Sequence, residues 1–534
     1  MRPVAGALPI LLLWAVPLLL SLVALLPPAL DPAAWRMVFA HPQFPSALLL
    51  SLFTGTVSSL LALGMALAII GGAYRSRIWA RLTTAAAASL AIPHLAFAIG
   101  FGFLVMPSGL LARLLVGGEV PPGWISVQDP FGVSLSLALA LKEVPFLLTA
   151  GFAGLSRGDA ARRLAMECRA GASLGHGPGS CFLRIVMPQL LEGLRWPLVI
   201  VFVYGATVVD MALVLGPTQP PTFAVVIWHA LNHASPEVNR MGLAATLFLT
   251  LVLGLVLAGA AALAHAKRGG RHRFYAAGPS PLAAPRRIAL LLGVLVLGMI
   301  LLAVLMLAML SVAQRWPYPA LLPEVGPAAW DTLGTAPQPL WLSLLLSLAV
   351  SAAAVALAIG WFESQPAGRD RWMTGLALLT LALPQLATAG GQYRLFLDWG
   401  LTGRPSGLFL AHLTPALAYV IIVLQGPYRS FDMRYIKAAQ GLSASAARRL
   451  FSVKLPLLKA PVLVAAAIGF AVSIAQFVPA QLIAAGRWST LPMEAVTLAS
   501  GGNRPLAAAY ALALALPPLL GFLLAARLAR PRWG

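Results

Sequence analysis

Apolar runs of about twenty residues recur along the chain, and this feature restricts the possible folds more than any other. Such a run can cross a bilayer as an α-helix, because a helix satisfies its backbone hydrogen bonds internally. We predict twelve spans in two sets of six. The first set is 8–27, 46–70, 83–107, 132–153, 193–217 and 240–265. The second set is 288–313, 341–362, 372–397, 405–425, 460–485 and 506–527. The predicted fold class is therefore an all-α polytopic membrane protein.

Composition supports a membrane protein and argues against a soluble protein that binds nucleic acid. Soluble domains are about a quarter charged, whereas this chain is 10% charged and 60% hydrophobic, with a mean hydropathy of +0.86. The net charge of +21 would suggest a nucleic-acid partner in a soluble protein. Here the expected partner is the lipid bilayer and not nucleic acid, because Lys and Arg accumulate on cytosolic loops of membrane proteins. Cys168 and Cys181 are the only cysteines, so no disulfide framework is expected.

The distribution of basic residues predicts the orientation. Most of the 37 Lys and Arg residues fall in the segments on the same side as the two termini. Basic loops stay in the cytosol, so both termini are predicted to be cytoplasmic. The first apolar run begins like a signal peptide, but no convincing cleavage site precedes Pro27 and Pro28. We expect it to remain as an anchor helix.

The two sets of spans are related in sequence. LAIPHLAFAIG at Leu90–Gly100 matches LALPQLATAGG at Leu381–Gly391 in seven of eleven positions. Because each set has an even number of spans, corresponding segments face the same side of the membrane, as in a parallel repeat. We predict a first repeat over 1–266, a cytoplasmic linker over 267–287 and a second repeat over 288–534.

Two polar, basic segments interrupt the apolar pattern, one after the fourth span and one after the tenth. The first basic segment covers about 157–190 and contains RAGASLGHGPGSCFLRIVMP; the second covers about 426–458 and contains KAAQGLSASAARRLFSVKLP. They share one spacing of small residues, a leucine and a later proline. In the first segment these are Ala170, Gly171, Leu174, Gly175 and Pro188. In the second they are Ala438, Ala439, Leu442, Ser443 and Pro456.

Each basic segment is predicted to form a short amphipathic helix on the cytosolic surface. Its arginines are too costly to place in lipid, at about 2.5–3.5 kcal/mol each at a helix centre. In the first segment, Leu164, Cys168 and Gly171 recur at helical spacing on one face. Small residues on such a face let a partner approach closely. The alternative is an amphipathic loop lying on lipid headgroups.

The duplicated segments resemble the EAA loop of ABC-transporter permeases, and nearly the whole chain resembles the fused two-domain permeases of the thiamine and ferric-iron type. The resemblance implies an importer type I permease fold in a bacterial inner membrane. It also implies that the chain is the permease subunit of an ATP-driven importer and that both loops dock on the ATPase. Arg169 and Lys437 replace the acidic residue of the motif, Glu167 lies two residues earlier, and Ser443 replaces its glycine. We therefore expect the two halves to dock unequally.

ATP hydrolysis is assigned to another polypeptide. The chain contains no GxxxxGK[ST] sequence, and therefore no Walker A loop to hold phosphates. We expect no catalytic residues and no cofactor in this chain. The resemblance implies two copies of an ATPase subunit and a periplasmic or extracellular solute-binding protein as partners.

Ionisable and polar residues inside predicted spans are candidates for the solute pathway, because they are costly in lipid and tend to face a cavity. Glu143 follows Lys142 within the fourth span, Asp210 lies in the fifth, and Gln476 lies in the matching eleventh span. By resemblance, Asp210 and Gln476 would face each other across the pathway. Carboxylates there favour a cation such as thiamine, then ferric iron, over anions. An internal ion pair or helix-packing hydrogen bonds are the alternative.

His229 and His233 stand four residues apart, with Glu237 four further on, which could form a metal-binding face on a helix. We expect them to be polar loop residues and predict no metal site. His94 and His412 have no ligand-like companions in the sequence.

Two other function classes compete with the permease. A secondary transporter of the major-facilitator class also has twelve spans in two halves. However, GGAYRSRIWAR at 71–81 lacks the acidic residue of that class, and the class does not explain the two basic segments. A membrane enzyme is disfavoured because no nucleophile elbow or metal motif is present.

Overall fold

The computed structural model describes residues 3–74, 76–116, 118–156, 158–266, 282–283, 285–441 and 445–528. Within these ranges nine helices are long and apolar enough to cross a membrane, and three bent helix pairs raise the number to twelve. Each predicted span corresponds to one of these helices or pairs, which confirms the all-α polytopic fold. Most of the linker 267–287 lies outside the described residues.

The helices that precede the linker belong to what is called the first half, and those that follow it to the second half. The first half contains Pro3–Ile10, Leu11–Ala15, Val16–Val23, Leu26–Ala29, Pro32–Ala40, Phe44–Ala73, Trp79–Ser89, His94–Val105, Leu110–Leu115, Val133–Ser156, Gly158–Ser173, Pro178–Cys181, Phe182–Val186, Met187–Gly193, Arg195–Thr207, Asp210–Leu215, Phe223–Leu231 and Pro236–Ala266. The second half contains Arg286–Ser311, Ala328–Thr335, Gln338–Ser364, Ala367–Arg369, Asp370–Ala382, Gln385–Asp398, Pro405–Arg429, Arg434–Gly441, Ala446–Arg449, Leu450–Lys454, Leu455–Leu457, Lys459–Ile474, Val478–Ala484, Leu491–Ser500 and Arg504–Leu528. Strands Ala313–Arg315 and Glu324–Val325 pair as an antiparallel hairpin after the first helix of the second half.

The third and ninth predicted spans are broken at proline rather than continuous. Trp79–Ser89 and His94–Val105 are separated before Pro93, and Ala367–Ala382 meets Gln385–Asp398 at an angle of 100°. A proline disfavours helical backbone in the residue before it and lacks an N–H of its own. A new helix therefore begins directly after Pro93 in the third span and directly after Pro384 in the ninth.

The fifth and eleventh spans also break, and they do so at matching depths. The helix Arg195–Thr207 ends before Val208, whose ψ of 133° is extended, and Lys459–Ile474 ends shortly before Gln476. Short helices from Asp210 and Val478 follow these breaks. Irregular backbone at membrane depth is tolerated only where protein or water, and not lipid, surrounds it. These breaks therefore lie in the protein interior or along a pathway.

Three π-helical turns interrupt the helices of the described ranges, and each ends two residues before a proline. They are Leu11–Ala15, Phe182–Val186 and Leu450–Lys454, which precede Pro17, Pro188 and Pro456. A proline inside a helix clashes with the carbonyl four residues earlier and cannot donate a hydrogen bond. A wider turn accommodates both defects. Pro188 and Pro456 thus lie within helical runs that join each basic segment to the following span.

The first helix of each half packs against the other half. Pro3–Ile10 and Val16–Val23 contact Gln338–Ser364 and Gln385–Asp398, while Arg286–Ser311 contacts the spans of the first half. Trp14 is fully buried, and its Nε1 donates to the Thr414 carbonyl at 3.0 Å. Each half therefore contributes its first helix to the packing of the other half, and these contacts stabilise the association of the two halves.

Small residues allow the inner helices to approach closely. A Cβ placed on Gly55 would lie 2.7 Å from Ala206 Cβ, and one on Gly205 would lie 2.8 Å from Ser58 Oγ. In the second half, Ser351 Oγ donates to the Ala466 carbonyl at 2.7 Å. Close helix contact of this kind is typical of membrane interiors, where packing replaces the hydrophobic effect between helices.

Candidate functional site

A polar contact in the interior of the first half joins two residues that are distant in sequence. His94 Nε2 lies 3.0 Å from Glu143 Oε1. His94 begins the helix after Pro93, and Glu143 lies two residues before Pro145 within Val133–Ser156. The His94 side chain is 36% exposed and the Glu143 side chain 8%. His94 has no ligand-like companion nearby in the sequence, and the fold brings Glu143 to it across a separation of 49 positions.

Further polar side chains surround this pair. The ring centroids of His94 and Tyr204 are 4.8 Å apart. Asp210 is close enough to interact electrostatically with His94, and Tyr419 of the second half is close enough to do so with Glu143. We call these five residues the polar cluster. Asp210 lies in the predicted fifth span but not inside a continuous helix: it begins the short helix after the break, because the preceding helix ends at Thr207.

The second half has a neutral pair at the matching position. Gln385 begins the helix after Pro384, as His94 does after Pro93. Its Nε2 donates to Gln476 Oε1 at 2.7 Å. Gln476 thus bonds within its own half. That it faces Asp210 across a pathway stays a prediction. The two sides of this region differ in charge, with carboxylates in the first half and amides in the second.

Lys142 is turned away from the polar cluster. It is 1% exposed, and its Nζ donates to the Ser89 carbonyl at 3.0 Å. Successive helical residues point about 100° apart, so Lys142 and Glu143 face different neighbours. The contact partner of the Glu143 carboxylate is therefore His94. His412, three residues before Pro415 as Lys142 is before Pro145, contacts Ser473 Oγ through Nδ1 at 3.1 Å.

The first basic segment forms the predicted helix, Gly158–Ser173, and ends it with a glycine in the left-handed region. Gly175 has a φ of 86°. The His176 N–H donates to the Gly171 carbonyl at 3.1 Å, and the Gly175 N–H donates to the Ala172 carbonyl at 3.0 Å. These two bonds form a Schellman motif, which satisfies the last carbonyls of the helix. A side chain at Gly175 would be strained whatever partner it met.

The small residues of this segment do not share one outward face. Leu164 is 3% exposed, and a Cβ on Gly171 would lie 3.1 Å from Ile185 Cδ1 and 3.2 Å from Cys181 Sγ. Gly171 therefore packs against the protein itself. Ala170, Leu174 and Gly175 are exposed, and Leu174 is 68% exposed. These residues remain available to a partner.

Glu167 holds the helix of the first basic segment against the start of the next span. Gln189 Nε2 donates to Glu167 Oε2 at 2.8 Å. Gln189 directly follows Pro188 in Met187–Gly193. The acidic residue near the motif therefore makes an internal hydrogen bond.

The second basic segment forms the helix Arg434–Gly441. Ala438 is exposed and Ala439 is half-buried. Leu442 and Ser443 lie outside the described residues. Pro456 is exposed and lies in the short helix Leu455–Leu457, directly after the π turn.

An ionic network anchors the second basic segment to its transmembrane helices. Lys454 Nζ bonds Glu363 Oε1, which also accepts a hydrogen bond from the Tyr428 hydroxyl at 2.6 Å. The ammonium lies 4.1 Å from the Tyr428 ring centroid. Nearby, the Arg429 guanidinium donates to both oxygens of Asp370, at 2.6 and 2.8 Å. In the first segment Val186 occupies the position of Lys454, the last residue of the π turn, so the two segments are anchored differently.

The histidines of the outer segment do not form a helical metal-binding face. The helix Phe223–Leu231 ends before His233, whose Nδ1 accepts the Ser235 N–H at 3.0 Å. Burial lowers the pKa of His229 below its usual value. Among the described residues no group of three or more His, Cys, Asp or Glu side chains could hold a metal ion.

Comparison with known proteins gives the family. No family model matches the chain. The inner membrane ABC transporter permease protein YnjC of Escherichia coli is 33% identical over 532 residues, which cover 98% of this chain and 96% of the relative. The chain belongs to the family of ABC transporter permeases. The permease is therefore a multi-pass inner-membrane transport protein, and the major-facilitator alternative is rejected.

Two further relatives match shorter stretches of the permease. The thiamine transport system permease protein ThiP of Escherichia coli is 30% identical over 182 residues, 32% of this chain and 33% of the relative. The spermidine/putrescine transport system permease protein PotC of Haemophilus influenzae is 26% identical over 165 residues, 30% of this chain and 64% of the relative. The resemblance to fused permeases of the thiamine type is thus confirmed.

Proposed function

We propose that this permease forms the transmembrane pathway of an ATP-driven importer and is coupled to two copies of a separate ATPase subunit through its two basic segments. The observation that carries the proposal is the duplication of one architecture. In both halves a short basic helix, a π turn and a proline lead into a broken span. Two similar docking elements suit two copies of one ATPase. A solute-binding protein would deliver solute to the opposite face, and both termini would be cytoplasmic.

Exposed residues support docking at the basic segments. Met166, Ala170 and Leu174 form an outward surface on the first segment, while Ala438 is exposed on the second. Met433 and Tyr435, at 52% and 55% exposure, add apolar area beside Ala438. Exposed apolar side chains among basic ones are typical of a protein interface and are costly in water.

The solute is proposed to be a small cation. The polar cluster contains two carboxylates, Glu143 and Asp210, against one histidine, whereas Gln385, which matches His94 in the second half, pairs with another neutral amide, Gln476. An anion would meet repulsion in a low dielectric, whereas a cation would be attracted. Two of the relatives named above are permeases for thiamine and for spermidine and putrescine, which are cations.

Reconstitution with the ATPase and the solute-binding protein tests the proposal. We expect ATP hydrolysis to rise when the loaded binding protein is added, and to remain basal when Leu174→Asp is introduced in the permease. An equal rise in hydrolysis for wild type and Leu174→Asp on adding the loaded binding protein would contradict coupling through the first segment.

A further inference from the structure

At the end of the transmembrane bundle opposite the basic segments, a cavity of about 220 Å³ lies between the two halves. The helix Arg286–Ser311 shows which end this is. Its start packs near Gly72, beside the basic segments, and Met306 and Leu310 near its other end line the cavity. Two arginines, Arg113 and Arg504, also line it. No acidic residue is among the described residues that line the cavity.

Arg113 forms the floor of the cavity and is unusually buried for an arginine. It is 6% exposed, and its guanidinium donates to the carbonyls of Ser108, Trp316, Pro317 and Ala320. It also lies 4.4 Å from the Trp316 ring centroid. Carbonyls and an aromatic ring stabilise the cation but do not neutralise it. In the described part of the chain Arg113 has no carboxylate within ion-pair distance.

Arg504 forms the rim and adds a second positive charge. It is exposed, and its Nη1 donates to Ser108 Oγ at 3.1 Å, so one serine links the two arginines. Arg504 is close enough to Arg113 to repel it. Two like charges facing one cavity without a described counter-charge are stabilised by a bound anion, and planar guanidinium groups match phosphate oxygens in geometry.

The surroundings of the cavity identify the source of the anion. Leu114 and Leu115 follow Arg113 directly and are 57% and 80% exposed, and Leu322 of the neighbouring hairpin is 77% exposed. Exposed leucines next to a half-buried tryptophan are typical of the boundary between headgroups and acyl chains. Phe103, Met306 and Leu310 give one part of the cavity wall an apolar surface, beside the polar Ser108 and Gln314. A ligand with an anionic phosphate and an attached acyl chain fits both features.

We propose that this cavity binds the phosphodiester headgroup of an anionic phospholipid from the leaflet opposite the basic segments. Arg504 contacts the phosphate at the rim, Arg113 supplies positive potential from the floor, and the acyl chains run along the exposed leucines. The bound lipid seals the contact between the halves at this end of the bundle.

Lipid retention in nanodiscs tests the proposal. The permease is placed in discs of phosphatidylcholine with or without phosphatidylglycerol, and the bound lipids are weighed by native mass spectrometry. We expect wild type to retain phosphatidylglycerol selectively. Arg504→Gln should lower the retained ratio of phosphatidylglycerol to phosphatidylcholine about five-fold, the factor that one basic side chain near an anionic lipid contributes. Arg404→Gln, which removes an exposed arginine outside this cavity, should leave the ratio unchanged.

Thermal unfolding distinguishes binding of the phospholipid from binding of free phosphate. Phosphatidylglycerol should raise the unfolding temperature of wild type but not of Arg504→Gln. An equal rise from inorganic phosphate in phosphatidylcholine discs would overturn the assignment to lipid. An unchanged lipid ratio in Arg504→Gln, or an equal loss in Arg404→Gln, would overturn the site itself.

Discussion

His94 Nε2 lies 3.0 Å from Glu143 Oε1, and this contact places a pair of ionisable side chains between two transmembrane helices of the first half. In the second half, Gln385 occupies the equivalent place after a proline and bonds Gln476. A solute passing between the halves would meet an ionisable side and a neutral side. Asp210 lies at the break beside the ionisable side, where the backbone is already irregular.

The first prediction concerns Asp210. Asp210→Asn keeps the shape of the side chain but removes a charge, and transport of a cationic solute should fall about ten-fold or more, because hydrogen bonds to charged groups contribute about 1.5–3 kcal/mol. Uptake into proteoliposomes measures this, with the affinity of the binding protein measured separately and expected to stay unchanged. Asp398→Asn, in an exposed pair with Arg394, serves as the control. Full transport by Asp210→Asn would refute the role given to this carboxylate.

The second prediction concerns the anchoring of the second basic segment. The side chains of Lys454 and Glu363 are 11% and 26% exposed. Lys454→Met or Glu363→Gln alone should destabilise the permease by about 1–3 kcal/mol, while the double variant should cost less than the sum, as for groups in contact. Chemical unfolding in detergent gives the four free energies.

The exposed pair Arg434 and Asp432 provides the matched control for this double-mutant cycle of wild type, two single variants and the double variant. Its side chains are 89% and 37% exposed, so solvent screens their attraction. The corresponding cycle there should show no measurable coupling. Equal coupling in both cycles would mean that burial of the Lys454 network has no effect.

The third prediction concerns Gly175. Its φ of 86° lies in the left-handed region, where a β-branched residue is strained and asparagine is tolerated better. Gly175→Val should therefore lower the unfolding temperature and weaken association with the ATPase, and Gly175→Asn should affect both less. Thermal unfolding and co-purification with the ATPase measure the two effects. If the two variants behave alike, the backbone conformation does not explain the glycine.

The fourth prediction concerns the exchange of first helices between the halves. Trp14→Ala should destabilise the permease by about 3–5 kcal/mol, because it removes a fully buried side chain. Trp14→Phe should cost about 1 kcal/mol through the lost hydrogen bond to Thr414. Leu12, 56% exposed towards lipid, is the control, and Leu12→Ala should have little effect. Comparable losses at both positions would contradict specific packing of Trp14.

Sequence reasoning succeeded where the signal was local. Twelve apolar runs predicted the spans, because length and hydropathy alone determine whether a helix can cross a bilayer. The short basic helices were also predicted, since the periodicity of Leu164, Cys168 and Gly171 is helical. The sequence did not reveal that Gly171 packs inward, because which neighbour covers a face is decided by tertiary structure.

Contacts between distant residues were the part that sequence could not supply. His94 and Glu143, or Gln385 and Gln476, meet only because bent spans bring them together. The prolines that cause some of these bends were visible, but their spans were predicted as continuous, since proline can either kink a membrane helix or be accommodated in it. The packing of Trp14 on the opposite half likewise follows from the folded arrangement alone.

The central claim is that both basic segments contact the ATPase on the cytosolic side. Its most direct test is cross-linking in membranes, using a permease whose two native cysteines are replaced by alanine. A single cysteine at Ala170 or at Ala438 should cross-link to the ATPase subunit, and a cysteine at Arg404, on the opposite side, should not. The same two cytosolic positions should react with a membrane-impermeant thiol reagent only in inside-out vesicles. Labelling of Ala170→Cys and Ala438→Cys from the outside, without a cross-link at either position, would contradict the account.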